Sequence, residues 1–127
     1  MARKLGTTEL QTAIYALLNS GLSYSVYDYV PEESAYPYIV ISEDSGTSGE
    51  DTKDNYSRDI RQTLNIWSDY KGYKEVKQIA DAIAALLDTD LSVSGFQVID
   101  IRHDLQCLRE GKLRRGILDI NITLNQT

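Results

Sequence analysis

The stretch Pro37-Tyr38-Ile39-Val40-Ile41 predicts a buried β-strand, and the rest of the chain is interpreted around it. A polar, acidic segment follows, and the chain then alternates apolar and polar residues up to Trp67. Two strands separated in this way indicate a hairpin with a large charged tip. Neither strand carries a nucleophile, a set of metal ligands or a phosphate-binding loop, which favours a protein that docks over one that catalyses a reaction.

The two strands of this hairpin are predicted over Pro37 to Glu43 and over Asp59 to Trp67, with Tyr56 returning the chain to the sheet. One face of the second strand is predicted to be buried through Ile60, Gln62, Leu64 and Ile66. The segment Asp44 to Asn55, which includes Gly46 to Gly49, is rich in small and acidic residues and predicts a mobile loop. Because such a loop buries little, we expect a partner to order it.

Two amphipathic helices are predicted on either side of the hairpin. The first spans Thr7 to Ser20, with Thr7 as its N-cap and Gly21 as a left-handed residue at its end. The second spans Gly72 to Asp88 and carries apolar residues at helical spacing. Both helices have one apolar stripe, so we expect each to cover a sheet.

Three further strands are predicted at Ser25 to Tyr29, Phe96 to Leu105 and Arg115 to Asn125, with a turn at Glu110-Gly111-Lys112. The order of helix, three strands, helix and two strands predicts an α+β fold: a mixed or antiparallel sheet of about five strands with two helices packed on one face. The chain shows no internal repeat, and residues 1–127 are predicted to form one domain.

The composition limits the compartment and the partners. The single cysteine, Cys107, excludes an internal disulfide framework and suits a reducing compartment, so we expect cytosolic synthesis. The first residues lack the apolar run of a signal peptide, and the longest apolar run, Ala82 to Leu87, is far shorter than the roughly 20 residues of a membrane span. A net charge of -6 argues against general affinity for nucleic acid.

The charges are unevenly distributed along the chain. The segment from Glu43 to Asn55 contains five acidic residues and one lysine, and the segment from Arg102 to Arg115 contains five basic residues and two acidic ones. We expect the acidic segment of one subunit to contact the basic segment of its neighbour, through Asp44, Glu50, Asp51, Asp54, Arg109, Lys112, Arg114 and Arg115. Charges of opposite sign at separate places suit head-to-tail contacts, which close a ring when the rotation allows. A plain solvated turn is the alternative for the basic segment.

The only cluster that suggests an enzyme is His103, Asp104 and Cys107. On an extended strand, side chains four residues apart are separated by about 13 Å, beyond the hydrogen-bond reach that activation of a thiol requires. One cysteine and one histidine are too few for structural zinc, and the acidic segment lacks the spacing of a calcium loop. We therefore predict no catalytic residue, no metal and no cofactor.

Nine tyrosines are present, and five of them lie in or beside the first two predicted strands: Tyr24, Tyr27, Tyr29, Tyr36 and Tyr38. Tyrosine suits both sheet packing and subunit interfaces, and the sequence leaves these two interpretations open.

Nearly the whole chain resembles the tail-terminator, or tail-completion, family of long-tailed bacteriophages and prophages. The resemblance lies in the opening helix, the Tyr36-Pro37-Tyr38-Ile39-Val40-Ile41 strand, the Ile66-Trp67-Ser68 ending, the second helix, and Arg114-Arg115-Gly116-Ile117-Leu118. It implies a structural subunit without catalytic residues that assembles with itself into a hexameric ring.

The resemblance also implies the partners and the location. Such a ring caps the tail-tube protein and binds a head-completion or connector protein, with DNA passing through its lumen without sequence-specific binding and with no membrane involved. It implies a place at the head-tail junction of the virion, after assembly in the host cytoplasm. Two other classes remain open: a small hydrolase that depends on His103, and a cytosolic α+β module that regulates or binds a small ligand.

Overall fold

The computed structural model describes residues 4–32, 34–52 and 55–127, with backbone only for residues 48–52, 55 and 56. In chain order the elements are α1 Thr7–Gly21, β1 Ser25–Tyr27, β2 Tyr38–Thr52, β3 Asn55–Ser68, α2 Lys74–Asp90, β4 Phe96–Glu110 and β5 Leu113–Gln126. Within the described ranges, neither helix has the length and apolar character needed to cross a bilayer.

The five strands form one mixed sheet in the order β1-β2-β3-β5-β4. β1 runs parallel to β2, and every other neighbouring pair is antiparallel. Together with the two helices, this sheet confirms the predicted α+β fold.

Both helices pack on one face of the sheet. α1 buries Leu10, Ile14 and Leu18, and α2 buries a stripe that begins at Val76 and ends at Leu87. The sheet face beneath them is supplied mainly by alternate residues of β3 and β5, namely Ile60, Leu64, Ile66, Leu118, Ile120, Ile122 and Leu124. These side chains and those of the helices form one continuous hydrophobic core, as the period-2 and period-3.6 patterns predicted.

The long hairpin corrects one prediction. Residues 44–52 are not a loop, because β2 continues to Thr52 and pairs with β3 almost to the tip. Two register shifts in β2, between Ile41 and Asp44 and between Ser48 and Asp51, absorb the residues that do not fit a regular ladder. The segment consists of small and acidic residues without apolar alternation, and for this reason the sequence pattern indicated a loop. Lys53 and Asp54, which the predicted loop also included, lie outside the described residues.

A buried glutamine stabilises the first bulge. The Gln62 amide nitrogen lies 3.1 Å from the Ser42 carbonyl oxygen and 3.3 Å from that of Glu43, the two residues that the register shift leaves out of the ladder. Gln62 is fully buried, and its amide group supplies the hydrogen-bond donor that these two carbonyl groups do not find in the ladder. The polar exception in the predicted apolar face of β3 is therefore explained by the bulge in β2.

The predicted cap residues of α1 are wrong at both ends. Gly6, with a φ of 89°, is the N-cap in place of Thr7, since only glycine adopts this backbone conformation freely. Gly21 is still helical, and its φ is not positive. A Cβ atom at position 21 would lie 2.8 Å from Cδ1 of Leu86 on α2, so only glycine fits there without a shift of that side chain. Close approach of the two helices, not turn geometry, accounts for this glycine.

Several predicted boundaries also shift. β1 ends at Tyr27, two residues early, and α2 begins and ends two residues late. β4 continues five residues beyond Leu105 to Glu110, directly before the predicted turn. That turn is confirmed at Gly111, which has a φ of 62°.

Gly116 of β5 allows α2 to approach the sheet. A Cβ at this position would clash with the Val76 side chain and lie 3.5 Å from Cβ of Ile66. The first turn of α2 therefore fills the space that a side chain on β5 would need.

We predict that Gly116→Ala lowers the free energy of unfolding in urea by about 1–3 kcal/mol, because the added methyl group overpacks the contact with Val76. Gly72→Ala, where the nearest atom is 3.7 Å away, is the matched control and should change stability by less than about 0.5 kcal/mol. Adding Val76→Ala to Gly116→Ala should recover part of the loss, and strict additivity of the two changes would contradict the contact.

Candidate interaction surfaces

Three of the predicted acidic contact residues, Asp44, Glu50 and Asp51, lie on β2 in its hairpin with β3, and we call the sequence segment 44–55 the acidic hairpin. Asp44 is exposed on β2 opposite Gln62. Glu50 and Asp51 are described in backbone only, and Asp54 lies outside the described residues. Asp51 pairs with Tyr56 at one end of the sheet, next to the pair Ser57 and Asn125, whereas Asp44 lies near the middle of β3.

The predicted basic contact residues lie where β4 turns into β5, and we call residues 109–115 the basic hairpin. Arg114 pairs with Arg109 on one side and with Ser68 on the other, which places this hairpin at the opposite end of the sheet. Along β3, Ser68 and Ser57 are eleven residues apart, so the tips of the two hairpins are separated by roughly 35 Å. The tips therefore do not meet within one subunit, although Asp44 and Arg115 line one pocket on the polar face of the sheet.

Two of the basic side chains are held by the same chain. The Arg114 guanidinium donates to the Lys71 carbonyl oxygen at 2.6 Å and lies over the Tyr73 ring. The Arg115 guanidinium lies over Trp67 and donates to Asn65 at 2.8 Å. Such contacts position an arginine against the fold and leave less of it for a partner.

The other two basic side chains are exposed. Arg109 contacts the Gly111 carbonyl oxygen of its own turn at 3.3 Å, and Lys112 lies at the tip of that turn. They are the members of the basic hairpin that are best placed to meet a partner.

The sheet face away from the helices is polar and linked by hydrogen bonds. Asp119 accepts a bond from the Arg61 guanidinium at 2.7 Å and one from the Thr63 hydroxyl at 2.6 Å. Partial burial acts to raise the pKa of Asp119, but these two bonds outweigh it and hold the pKa below its usual range. The same contact raises the pKa of Arg61. This face therefore keeps an ordered ion pair between β3 and β5.

The tyrosines divide between the two open interpretations. Tyr27 and Tyr38 pack edge to face with ring centroids 5.7 Å apart, and Tyr36 stacks on Tyr38 at 5.1 Å. Burial, followed by the neighbouring tyrosines, raises the pKa of Tyr38. Tyr15 and Tyr29 instead leave 40% and 86% of their surface exposed. Some tyrosines thus serve sheet packing, whereas others remain open to a partner.

The two outer edges of the sheet are further candidate surfaces that the sequence reasoning missed. A groove of about 560 Å³ lies beside β1 and is lined on one side by Thr8, Thr12 and Tyr15 of α1. Tyr27, Asp28 and Tyr29 line its other side. At the far edge, β4 exposes Ile99 and Leu105. Apolar residues on a strand signal such an edge only when the strand order is known, which the sequence does not provide.

The cluster of His103, Asp104 and Cys107 is divided by the strand. Alternation on β4 turns Asp104 away from the face that His103 and Cys107 share. The His103 Nε2 atom lies 2.8 Å from the Asp88 carboxylate at the end of α2, a contact that depends on helix packing and that the sequence reasoning missed. Cys107 packs against the hydrophobic core. Among the described side chains, no three His, Cys, Asp or Glu residues are grouped to hold a metal ion.

Comparison with known proteins shows what this chain is similar to. The family model described as "Tail completion protein gp17" matches residues 9–125. A chain in the solved structure titled "Virion of native gene transfer agent (GTA) particle" superposes with a TM-score of 0.72 at 21% identity. The match covers 94% of this chain and 97% of that one, and at this identity it concerns the fold. No curated protein matches the chain.

The Asp119 contact leads to a prediction about pH. Its folded-state pKa is lowered, so its stabilising contribution is complete above the unfolded-state value of about 3.9 and is lost as the pH falls through the folded-state pKa. Asp119→Asn should therefore melt below wild type at pH 7, and the difference should shrink below pH about 4. Asp81→Asn, at an exposed site on α2, is the control. A difference in melting temperature that stays constant from pH 7 to pH 2 would contradict the role of ionisation.

Proposed function

The chain belongs to the tail completion protein gp17 family, a family of phage tail structural proteins, and from this membership we propose that it forms a ring that caps the tail tube and joins it to the head. The observation that carries the proposal is the family match, which extends over residues 9–125 of the 127. The ring consists of copies of this chain, six in the form expected from the resemblance. One domain of residues 1–127 is its repeating unit.

The positions of the charged hairpins support this function. A joining ring needs two different axial surfaces, because it meets a tail-tube protein on one side and a head-completion or connector protein on the other. The acidic and basic hairpins lie at opposite ends of the strands and differ in sign, so they can select different partners. In place of a ring-closing contact between the two segments, we assign one axial surface to Glu50, Asp51 and Asp54, and the other to Arg109, Lys112, Arg114 and Arg115. Asp44 pairs with Gln62 near the middle of β3 and lies between the two surfaces.

The remaining parts of the proposal follow from the ring. DNA passes through the lumen during packaging and ejection, and a subunit with a net charge of -6 repels phosphate, so DNA crosses without sequence-specific binding. The protein works at the head-tail junction of the virion and is assembled there from the host cytoplasm. It acts through contacts and needs no cofactor.

We predict that neutralising each hairpin blocks a different step of particle assembly. Asp51→Asn with Asp54→Asn removes charge from the acidic hairpin, and Arg109→Gln with Lys112→Gln removes it from the basic hairpin. One double variant should sediment with purified tails but fail to join heads, and the other should fail to bind tails. Joined particles counted by electron microscopy should fall about tenfold or more in each case, since each variant loses charge pairs that the ring repeats.

The matched control for the acidic variant is Asp81→Asn with Asp90→Asn, which removes the same charge from exposed sites on α2. This control should join heads and tails as wild type does. If both hairpin variants lose the same partner, or if the control loses as much as they do, the assignment of the hairpins to two axial surfaces is wrong. Rings should be visible by negative staining of the wild-type protein, either alone or on tails, and their absence from both would overturn the proposed function.

The absence of a chemical role for the cysteine and the histidine is tested separately. We predict that Cys107→Ser and His103→Ala each leave head-tail joining within about twofold of wild type. Cys107 only packs and His103 only contacts the exposed Asp88, so melting temperatures should fall by no more than a few degrees. A variant that folds and forms rings but no longer yields infectious particles would show that these residues have a chemical function.

A further inference from the structure

The two edges of the sheet are open, and they are unlike. On one edge, β4 pairs only with β5, so one side of its 15-residue backbone has no strand partner among the described residues. On the other edge, β1 covers only Tyr38 to Val40 of β2. An unpaired strand of such length is a template for another chain unless it is protected.

Exposed hydrophobic side chains collect at the same two edges. Among the residues whose side chains are described, seven large hydrophobics are exposed, and five of them lie at an edge. Tyr15, Tyr29 and Tyr36 lie on the β1 side, and Ile99 and Leu105 lie on β4. Ile99 is the residue that the register shift of β4 leaves out of the ladder. Hydrophobic side chains grouped in this way indicate contact surfaces.

The strand register places the groove and Leu105 at the same level along the sheet. Leu105 pairs with Leu118, which pairs with Leu64, which in turn pairs with Ile41. Tyr27 pairs with Val40, the residue before Ile41, and so lies within one residue of this level. Rotation about an axis along the strands keeps the level, so it can bring Leu105 of one copy to the groove of the next.

Direction and face agree with this contact. β1 and β2 run opposite to β3, β5 runs opposite to β3, and β4 runs opposite to β5, so β4 of one copy meets β1 of the next in antiparallel orientation. Leu105 shares the helix-covered face with Leu118, and the groove lies between α1 and β1 on that same side. The two edge strands are therefore oriented for a short antiparallel ladder between the two copies.

The two edges differ in charge. From Leu5 to Thr52, which spans α1, β1 and β2, the chain has eight acidic residues and no lysine or arginine. Asp28 lies in the lining of the groove itself. The β4 side carries both signs, because exposed Arg102, Arg109 and Lys112 are accompanied by exposed Asp100, Asp104 and Glu110, and Arg102 is paired with Asp100. An acidic edge therefore meets an edge of mixed charge, whereas two copies of the β1 edge would place acidic residues against each other.

Building on the ring of the proposed function, we propose that neighbouring subunits join edge to edge. The β4 edge of one copy, with Leu105, seats in the groove formed by α1 and β1 of a second copy, against Tyr15 and Tyr29. The occupant of the groove is thus another copy of this chain. The contact is heterologous, so it repeats around an axis and closes a ring, and it leaves both charged hairpins free for the axial partners.

The first test uses one variant for each edge. Leu105→Glu should disable the β4 edge and Tyr29→Glu the groove, and each should need about tenfold more protein to form rings, measured by light scattering and negative staining. Tyr70→Glu changes a side chain that is 49% exposed, between Leu105 at 37% and Tyr29 at 86%, but that lies at neither edge, and this variant should form rings as wild type does. Circular dichroism confirms that the variants fold. Rings of Leu105→Glu at the wild-type concentration would overturn the edge assignment and leave the ring itself standing.

The second test mixes the two edge variants. Each variant keeps one intact edge, so an equimolar mixture should form dimers and stop there, whereas either variant alone should remain monomeric. A symmetric contact between two like edges, or a contact through the hairpins, would not produce dimers only on mixing. Mixtures that contain no dimers would overturn the proposal.

A third test detects the same contact by cross-linking, and it can be applied to assembled particles. In a Cys107→Ser background, Leu105→Cys combined with Tyr29→Cys should give a ladder of cross-linked species with a short bismaleimide, and each single substitution should give none. If the wild-type chain is monomeric in solution, protein recovered from particles is used. A ring without the ladder would refute the edge contact alone, and no ring on particles would refute the proposed function as well. Loss of head joining by Tyr29→Glu with intact rings would assign the groove to another protein and overturn the proposal.

Discussion

The structure depends on the pairing of β3 along both of its sides. From Ser57 to Ser68 this strand is hydrogen-bonded to β5, and over most of that length also to β2, so its alternation sets the face of every neighbour. Even-numbered residues from Arg58 to Ser68 are buried beneath the helices, and a slip of one residue would expose all of them. Arg58, near the start of β3, is buried in this arrangement. Its Nε atom donates to the Lys4 carbonyl oxygen at 2.6 Å, and this bond attaches the N-terminal segment to the sheet.

The contact surfaces follow from this central strand. Its two ends carry the hairpins, which differ in charge because the acidic segment lies in β2 and the basic segment joins β4 to β5. Its two sides carry the neighbours that end in open edges, one beside the groove and one along β4. A subunit with ends and edges of different character can make axial contacts and lateral contacts independently. The ring that we propose would need both kinds of contact, lateral ones between its subunits and axial ones to its partners.

The sequence predicted the fold class because both periodicities were clear. Alternation in β3 and β5 and the helical spacing in α1 and α2 arise from burial on a single side, which is a local property of each element. It failed over residues 44–52, where small and acidic residues form a strand. That strand forms because β3 pairs with it and because Gln62 donates hydrogen bonds to the carbonyl groups of the bulge. Neither contact can be recognised from the residues of the segment itself. Gly21 was misassigned for the same reason, since its neighbour is Leu86 of another helix.

The sequence by itself determined the two helices, the regularly alternating strands, their apolar faces and the uneven charge, because each depends on residues close together in the chain. It also showed that acidic and basic residues are concentrated in two separate segments. Only the tertiary structure decided that the hairpins lie at opposite ends of the sheet, that Arg114 and Arg115 are held by Lys71, Tyr73, Trp67 and Asn65, and that His103 meets Asp88. Strand order decided which residues lie at an edge, because Ile99 and Leu105 would be buried if another strand followed β4. Order and register are set by contacts between distant segments, and periodicity within a segment carries no information about them.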